Sequence, residues 1–180
     1  FLTHPPRGKN LLFVRLETAD GPHGWGECYT QSDRDLQVVA HIEQLKRYVV
    51  GWDARRIKHF TDSAFSDFAA RRGALDYYSA ISGIEQAMWD LAGKRNGVPV
   101  YEMLGGACRD SIRVYANGWA RRGSVEELAT SAKEVVDRGF TALKFDPVPG
   151  PWRTFVSRDV EDEAIARVAA VRDAVGPDVD

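Results

Sequence analysis

Ile112-Arg113-Val114-Tyr115-Ala116 and Thr141-Ala142-Leu143-Lys144-Phe145-Asp146 are the two stretches that decide the fold. Each is a short β-rich run of the kind that pairs in a sheet. Between them, Ser124 with Glu127 three residues on is a capping box, which predicts a helix start. Leu128, Ala132, Val135 and Val136 give that helix an apolar stripe, and Gly139 stops it. A second helix is predicted over 159–174, with Ala164, Ile165, Val168 and Val171 inward, after a loop at 147–158 that contains Pro149-Gly150-Pro151 and Trp152. Strand, helix, strand, helix with short links means βαβ units and a parallel sheet.

The residues before 107 have a different texture. Leu11-Leu12-Phe13-Val14 with Leu16, then Asp20-Gly21-Pro22, then Gly24-Trp25-Gly26-Glu27, predict an antiparallel hairpin. Leu36, Val39, Ile42, Leu45 and Val49 recur at helical spacing, with Ser32 or Asp33 placed to cap the helix. Residues 54–70 read as an irregular helix. The strongest helix spans 79–95, with Ile81, Ile84, Met88, Leu91 and Ala92 on one face and Gly97 and Pro99 to end it. The prediction is an α+β domain over 1–106, with a three-stranded or similar small antiparallel sheet and a helical bundle. Residues 107–180 then open an α/β domain.

Two βα units cannot cover both faces of a parallel sheet, and a closed barrel needs eight. Phe1-Leu2 reads as the tail of a strand, and Gly176-Pro177-Asp178-Val179-Asp180 as a turn into a further one. The chain is therefore expected to be a fragment of a longer protein, with only the first two barrel strands present.

Composition narrows the function. The 180 residues are 44% hydrophobic and 28% charged, which suits a soluble globular protein. Lys and Arg number 24 against 26 Asp and Glu, a formal charge of −2, so no basic face for nucleic acid is expected. No apolar run approaches the roughly 18 residues of a membrane span. Cys28 and Cys108 fit no zinc or redox spacing, and two thiols suit a reducing cytoplasm. Phosphate loops, metalloprotease motifs and nucleophile elbows are missing.

What stands out is the second strand of the α/β part. Side chains alternate, so Lys144 and Asp146 point one way while Leu143 and Phe145 point the other. The apolar pair suits helix packing, and the polar pair would face a barrel interior at the strand's C-terminal end, where such barrels carry their chemistry. On the first strand, Tyr115, Asn117 and Trp119 lie two apart. Asn117 offers a hydrogen bond to a carboxylate or hydroxyl, and Trp119 a pocket wall. A turn Asn before Gly118 and a packing Trp are the structural alternative.

Ala80-Ile81-Ser82-Gly83-Ile84-Glu85-Gln86-Ala87-Met88-Trp89-Asp90-Leu91-Ala92-Gly93-Lys94, with Pro99-Val100 and Leu104-Gly105, resembles the first signature of the mandelate racemase and muconate lactonizing enzymes, within the enolase superfamily. Gly24-Trp25-Gly26-Glu27 and Gly139-Phe140-Thr141-Ala142-Leu143-Lys144 look like the same family. The resemblance implies an α+β capping domain over a modified (β/α) barrel. It also implies a Mg²⁺ cofactor whose acidic ligands sit on the third, fourth and fifth barrel strands, beyond Asp180, so no metal ligand is assigned in this chain.

Racemases and cycloisomerases of this family often carry Lys-x-Lys on the second strand, where Lys144-Phe145-Asp146 stands here. A carboxylate with a reference pKa of about 3.9 is a poor base for an α-proton. Lys-Phe-Asp-Pro is similar instead to the galactonate-type sugar-acid dehydratases. The resemblance implies loss of the α-proton from a sugar acid, an enediolate, and expulsion of the β-hydroxyl as water. Lys144 and Asp146 are the candidate catalytic pair, and Asn117 and Trp119 candidate substrate contacts. Two capping-domain loops, Thr3-His4-Pro5-Pro6-Arg7-Gly8-Lys9-Asn10 and Cys28-Tyr29-Thr30-Gln31-Ser32, are implied to close the site. In them Arg7 and Lys9 offer charge, and Tyr29 and Gln31 hydrogen bonds, to a polyhydroxylated anion. A small-molecule sugar acid is the expected partner, in a cytoplasmic homo-oligomer, with no nucleic acid and no membrane. An epimerase or racemase on the same scaffold, or a non-catalytic relative, remains the alternative.

Overall fold

The computed structural model describes residues 10–30, 34–67, 73–120, 123–148 and 156–180. The candidates Arg7, Lys9 and Gln31, the expected caps Ser32 and Asp33, the strand tail Phe1-Leu2 and the middle of the 147–158 loop lie outside these residues. The chain divides into two compact units, Phe1–Cys108 and Arg109–Asp180.

The first unit contains an antiparallel hairpin, β1 (Leu12–Glu17) and β2 (His23–Cys28), in the register Leu12 to Cys28 through Glu17 to His23. Among the described residues the sheet has these two strands, against the three or similar small sheet predicted. Helices α1 (Asp35–Leu45), α2 (Ile57–Asp67), α3 (Leu75–Asn96) and the single turn α4 (Val100–Met103) follow. Helix α3 ends at Gly97, whose φ of 67° is left-handed backbone that favours glycine.

The core is built on α3. Tyr77, Ala80, Ile81, Ile84, Ala87, Met88 and Leu91 are buried against Leu16, Cys28, Val38, Leu45 and Phe60. Tyr77 Oη donates to the Ala64 carbonyl at 2.5 Å, which joins α3 to α2.

At Gly24 and Gly26, strand β2 meets helix α3 backbone to backbone. A Cβ on Gly26 would stand 2.0 Å from the Gly83 carbonyl oxygen, and one on Gly24 2.0 Å from that of Ala87. A Cβ on Gly83 would stand 2.2 Å from Cys28 Sγ. The outer edge of β2 is bonded by side chains of the same helix. Asp90 Oδ2 accepts from Trp25 N at 2.7 Å, Gln86 bonds both the N–H and the carbonyl of Glu27, and Lys94 Nζ donates to the His23 carbonyl at 3.2 Å. Residues 86, 90 and 94 rise about 6 Å per step along a helix, and 27, 25 and 23 about 6.6 Å per step along a strand, so the two rows stay in register.

The apolar stripe of α1 differs from the prediction at its first turn. Val38 and Leu45 are buried, Val39 is half-buried and Leu36 is 67% exposed. Asp35 turns inward instead, because Asn10 Nδ2 donates to its carboxylate at 2.6 Å.

In the second unit, α5 (Val125–Asp137) carries the predicted capping box. Ser124 Oγ accepts from Glu127 N, and Glu127 Oε2 accepts from Ser124 N. Helix α6 (Arg158–Val175) packs on α5. The two predicted strands appear as one parallel bridge, Ala116 to Leu143, with Ala116 N to Ala142 O at 2.9 Å and Lys144 N to Ala116 O at 2.8 Å. A third segment pairs alongside: Leu143 N donates to Asp180 O and Asp180 N to Thr141 O. The inward face of α6 differs from the prediction. Val171 is buried and Ala164 half-buried, but Ile165 and Val168 are exposed. Arg167 takes the inward turn, with Nη2 on the Gly123 carbonyl and Nε on Glu163.

Two outcomes follow from this packing. Gly26→Ala forces β2 off α3 and lowers stability by at least about 3 kcal/mol, the upper range for overpacking, as read from urea denaturation of the full-length protein. Burial pushes the Cys28 thiol up to about 11 from its ordinary 9.0. A folded-state pKa above the unfolded one gives stability that is complete below the unfolded value and lost as pH rises through the folded one. The stability gap between wild type and Cys28→Ala is therefore constant below about pH 9 and shifts against wild type as pH approaches about 11, measured by denaturation across that range.

Candidate functional site

In the second unit the bridge sets Ala116 against Leu143, which places Asn117 alongside Lys144 in register. Ala116, Leu143 and Phe145 turn toward the helices, where Leu143 and Phe145 pack on Leu128, Ala132 and Val171. Asn117, Lys144 and Asp146 are exposed on the strands carrying them. The alternation predicted for Leu143 through Asp146 is thus the one the backbone adopts.

Asp146 is held by a local turn, its Oδ1 accepting from Val148 N at 3.3 Å. Asn117 Oδ1 likewise accepts from Gly118 N at 2.9 Å. Its amide nitrogen carries the side chain's two donors.

Trp119 departs from the predicted row of Tyr115, Asn117 and Trp119. Gly118, at φ 75°, turns the chain between them. The indole then packs with Phe145, ring centroids 5.3 Å apart, in the cluster under α5 and α6. Its Nε1 is buried and has no hydrogen-bond partner among the described residues. An indole N–H usually finds one.

In the first unit, Tyr29 is 55% exposed between the buried Cys28 and Thr30. Thr30 Oγ1 donates to the Asn10 carbonyl, and Asn10 Nδ2 to Asp35. Tyr29 borders a small crevice with Arg34, Val38 and Asp76. Arg34 Nη2 donates to Asp76 Oδ2 at 2.9 Å, and that guanidinium holds the Asp76 carboxyl below its usual range. Sequence reasoning placed Thr30 and Asn10 in loops but missed Asp35. The hairpin register, which sets 10 opposite 30, was the available signal.

Among the described residues no group of three or more His, Cys, Asp or Glu is placed to hold a metal ion. None of the described helices is long and apolar enough to cross a membrane.

A sequence profile described as the mandelate racemase / muconate lactonizing enzyme N-terminal domain matches residues 4–105. A D-gluconate dehydratase of Thermoproteus tenax is 41% identical over 173 residues, spanning 94% of this chain and 34% of that protein. A D-galactonate dehydratase of Verminephrobacter eiseniae is 38% identical over 177 residues, spanning 98% of this chain and 44% of that protein. The crystal structure of a mandelate racemase/muconate lactonizing enzyme from Jannaschia sp. CCS1 superposes with a TM-score of 0.83 at 33% identity, over 94% of this chain and 47% of that one. The chain thus spans less than half the length of these relatives.

Proposed function

This chain belongs to the mandelate racemase / muconate lactonizing enzyme family, and from that premise we propose that the whole protein is a sugar-acid dehydratase acting on an aldonic acid of the gluconate or galactonate kind. The observation that carries the reading is the pair on the second barrel strand: Lys144 exposed beside Asn117, followed at the next outward position by a carboxylate rather than a lysine. The names of the two dehydratase relatives support the same chemistry.

In the reaction the C–H bond α to the carboxylate breaks and its proton passes to a general base. The electron pair forms the enediolate. The β C–O bond then breaks, the hydroxyl leaves as water after protonation, and the enol becomes the 2-keto-3-deoxy acid. Lys144 presents a cation to the substrate carboxylate, and Asn117 donates a hydrogen bond beside it. Asp146, held by its turn, binds a substrate hydroxyl. Tyr29, Arg7, Lys9 and Gln31 are assigned in this reading as contacts to substrate hydroxyls and charge. Trp119 is left to packing. Mg²⁺ is the cofactor this reading assigns to the whole protein, with ligands outside the described residues. A cytoplasmic homo-oligomer belongs to the same reading.

A panel of aldonic and aldaric acids, assayed for 2-keto-3-deoxy products with the full-length protein, tests the proposal. Turnover of D-gluconate or D-galactonate is expected, lost with EDTA and restored by Mg²⁺. Racemisation of an α-hydroxy acid with no sugar acid dehydrated decides against it. Lys144→Met, which keeps length and removes charge, is expected to raise KM by about one to two decades, the range of a lost charge-assisted hydrogen bond. Unchanged kinetics in a folded variant make Lys144 a solvated strand end.

A further inference from the structure

The backbone ladder of the hairpin ends at Leu12 and Cys28, and side chains carry the pairing one step further. Its register sets residue 10 opposite residue 30. There the Thr30 hydroxyl, on a residue only 2% exposed, donates to the Asn10 carbonyl. The Asn10 side chain then donates to Asp35, a buried carboxylate in the first turn of α1. One chain of hydrogen bonds thus joins the start of β1, the end of β2 and the first turn of α1. Tyr29 sits inside it. Its neighbours Cys28 and Thr30 are both buried, so strand alternation turns the Tyr29 side chain outward. The Arg34–Asp76 ion pair borders the same crevice as its ring.

We propose that Thr30, Asn10 and Asp35 are positioning residues, whose hydrogen bonds fix the backbone on either side of Tyr29 and so hold its phenol for the hydroxyl groups of the substrate. The inference rests on the reading of Tyr29 as a sugar-acid contact. The part-buried Asn10 carbonyl, losing its donor, is left under-satisfied, and the backbone around it moves to find water. A contact to substrate hydroxyls remote from the reacting carbon is made equally in ground and transition states. Its loss therefore appears in KM and spares kcat.

The test is a double-mutant cycle on the full-length enzyme. Thr30→Val removes the hydroxyl at constant shape and is expected to raise KM for the sugar acid about tenfold, with kcat within about twofold. Thr30→Ser keeps the hydroxyl and is expected to recover most of that affinity. In a Tyr29→Phe background, Thr30→Val is expected to add less than about a further twofold, because the group it positions is gone. Hydrogen exchange of peptides covering residues 10–12 and 28–30 is expected to quicken in Thr30→Val and not in Thr30→Ser. An unchanged KM in Thr30→Val despite faster exchange overturns the proposal, since the bond is then only structural. A full tenfold effect that persists in Tyr29→Phe overturns it too. If wild type dehydrates no sugar acid but acts on another carboxylate, the dehydratase reading fails, and the same cycle on that substrate decides the positioning role.

Discussion

Three residues without side chains, Gly24, Gly26 and Gly83, set the distance between strand β2 and helix α3, and the first unit is arranged around that distance. With the backbones in contact, Gln86, Asp90 and Lys94 are short enough to reach the strand's own peptide groups. The close approach and the polar row therefore depend on each other. A bulkier stripe would lift the helix away and strand three side chains short of their partners. Asp90 feels both sides of the balance. Its partial burial opposes ionisation, yet Lys94 and the Trp25 amide hold its carboxyl below the usual range. The remaining core residues fill space around a contact whose geometry is already fixed.

Among its described residues the second unit has no comparable contact. Its helices are well specified, by a capping box on α5 and by apolar residues that meet between α5 and α6. Among the described residues its strands are joined by backbone hydrogen bonds of Ala116, Leu143, Lys144 and Asp180, and by the Arg113 side chain, which donates to Thr141 and pairs with Asp180. Parallel strands gain stability as both faces and both neighbours are supplied. Ile112 and Val114 are exposed, as are Ile165 and Val168 on α6. The face that carries Asn117, Lys144 and Asp146 is nonetheless defined, because one bridge fixes the register and the pleat does the rest.

How much of this could be read from the sequence follows from which signals are local. The capping box at Ser124, the stop at Gly97 and the turn at Asp20-Gly21-Pro22 are local, and the helices and hairpin they bound are where the sequence predicts. The alternation that puts Lys144 and Asp146 opposite Leu143 and Phe145 is local too. Two inward faces were misread for non-local reasons. Leu36 lost its place to Asp35 because Asn10, far away in sequence, bonds the carboxylate. Ile165 and Val168 lost theirs to Arg167, whose guanidinium finds the Gly123 carbonyl. Periodicity counts apolar residues and does not see a polar group that is drawn inward by a partner. Trp119 is the third case, since one left-handed glycine reverses the row that strand alternation extends.

The polar row of α3 also has a bearing on solubility. A strand edge with free N–H and carbonyl groups is a template on which another chain can pair. Along β2, the His23 carbonyl is occupied by Lys94, the Trp25 N–H by Asp90 and both groups of Glu27 by Gln86. The helix thus acts as a blunt, non-β neighbour that ends the sheet on that side. Substitutions that shorten residues 86, 90 or 94 would uncover a sticky edge during synthesis and refolding. Their first symptom would be aggregation of partly folded chains, ahead of any change in the folded protein.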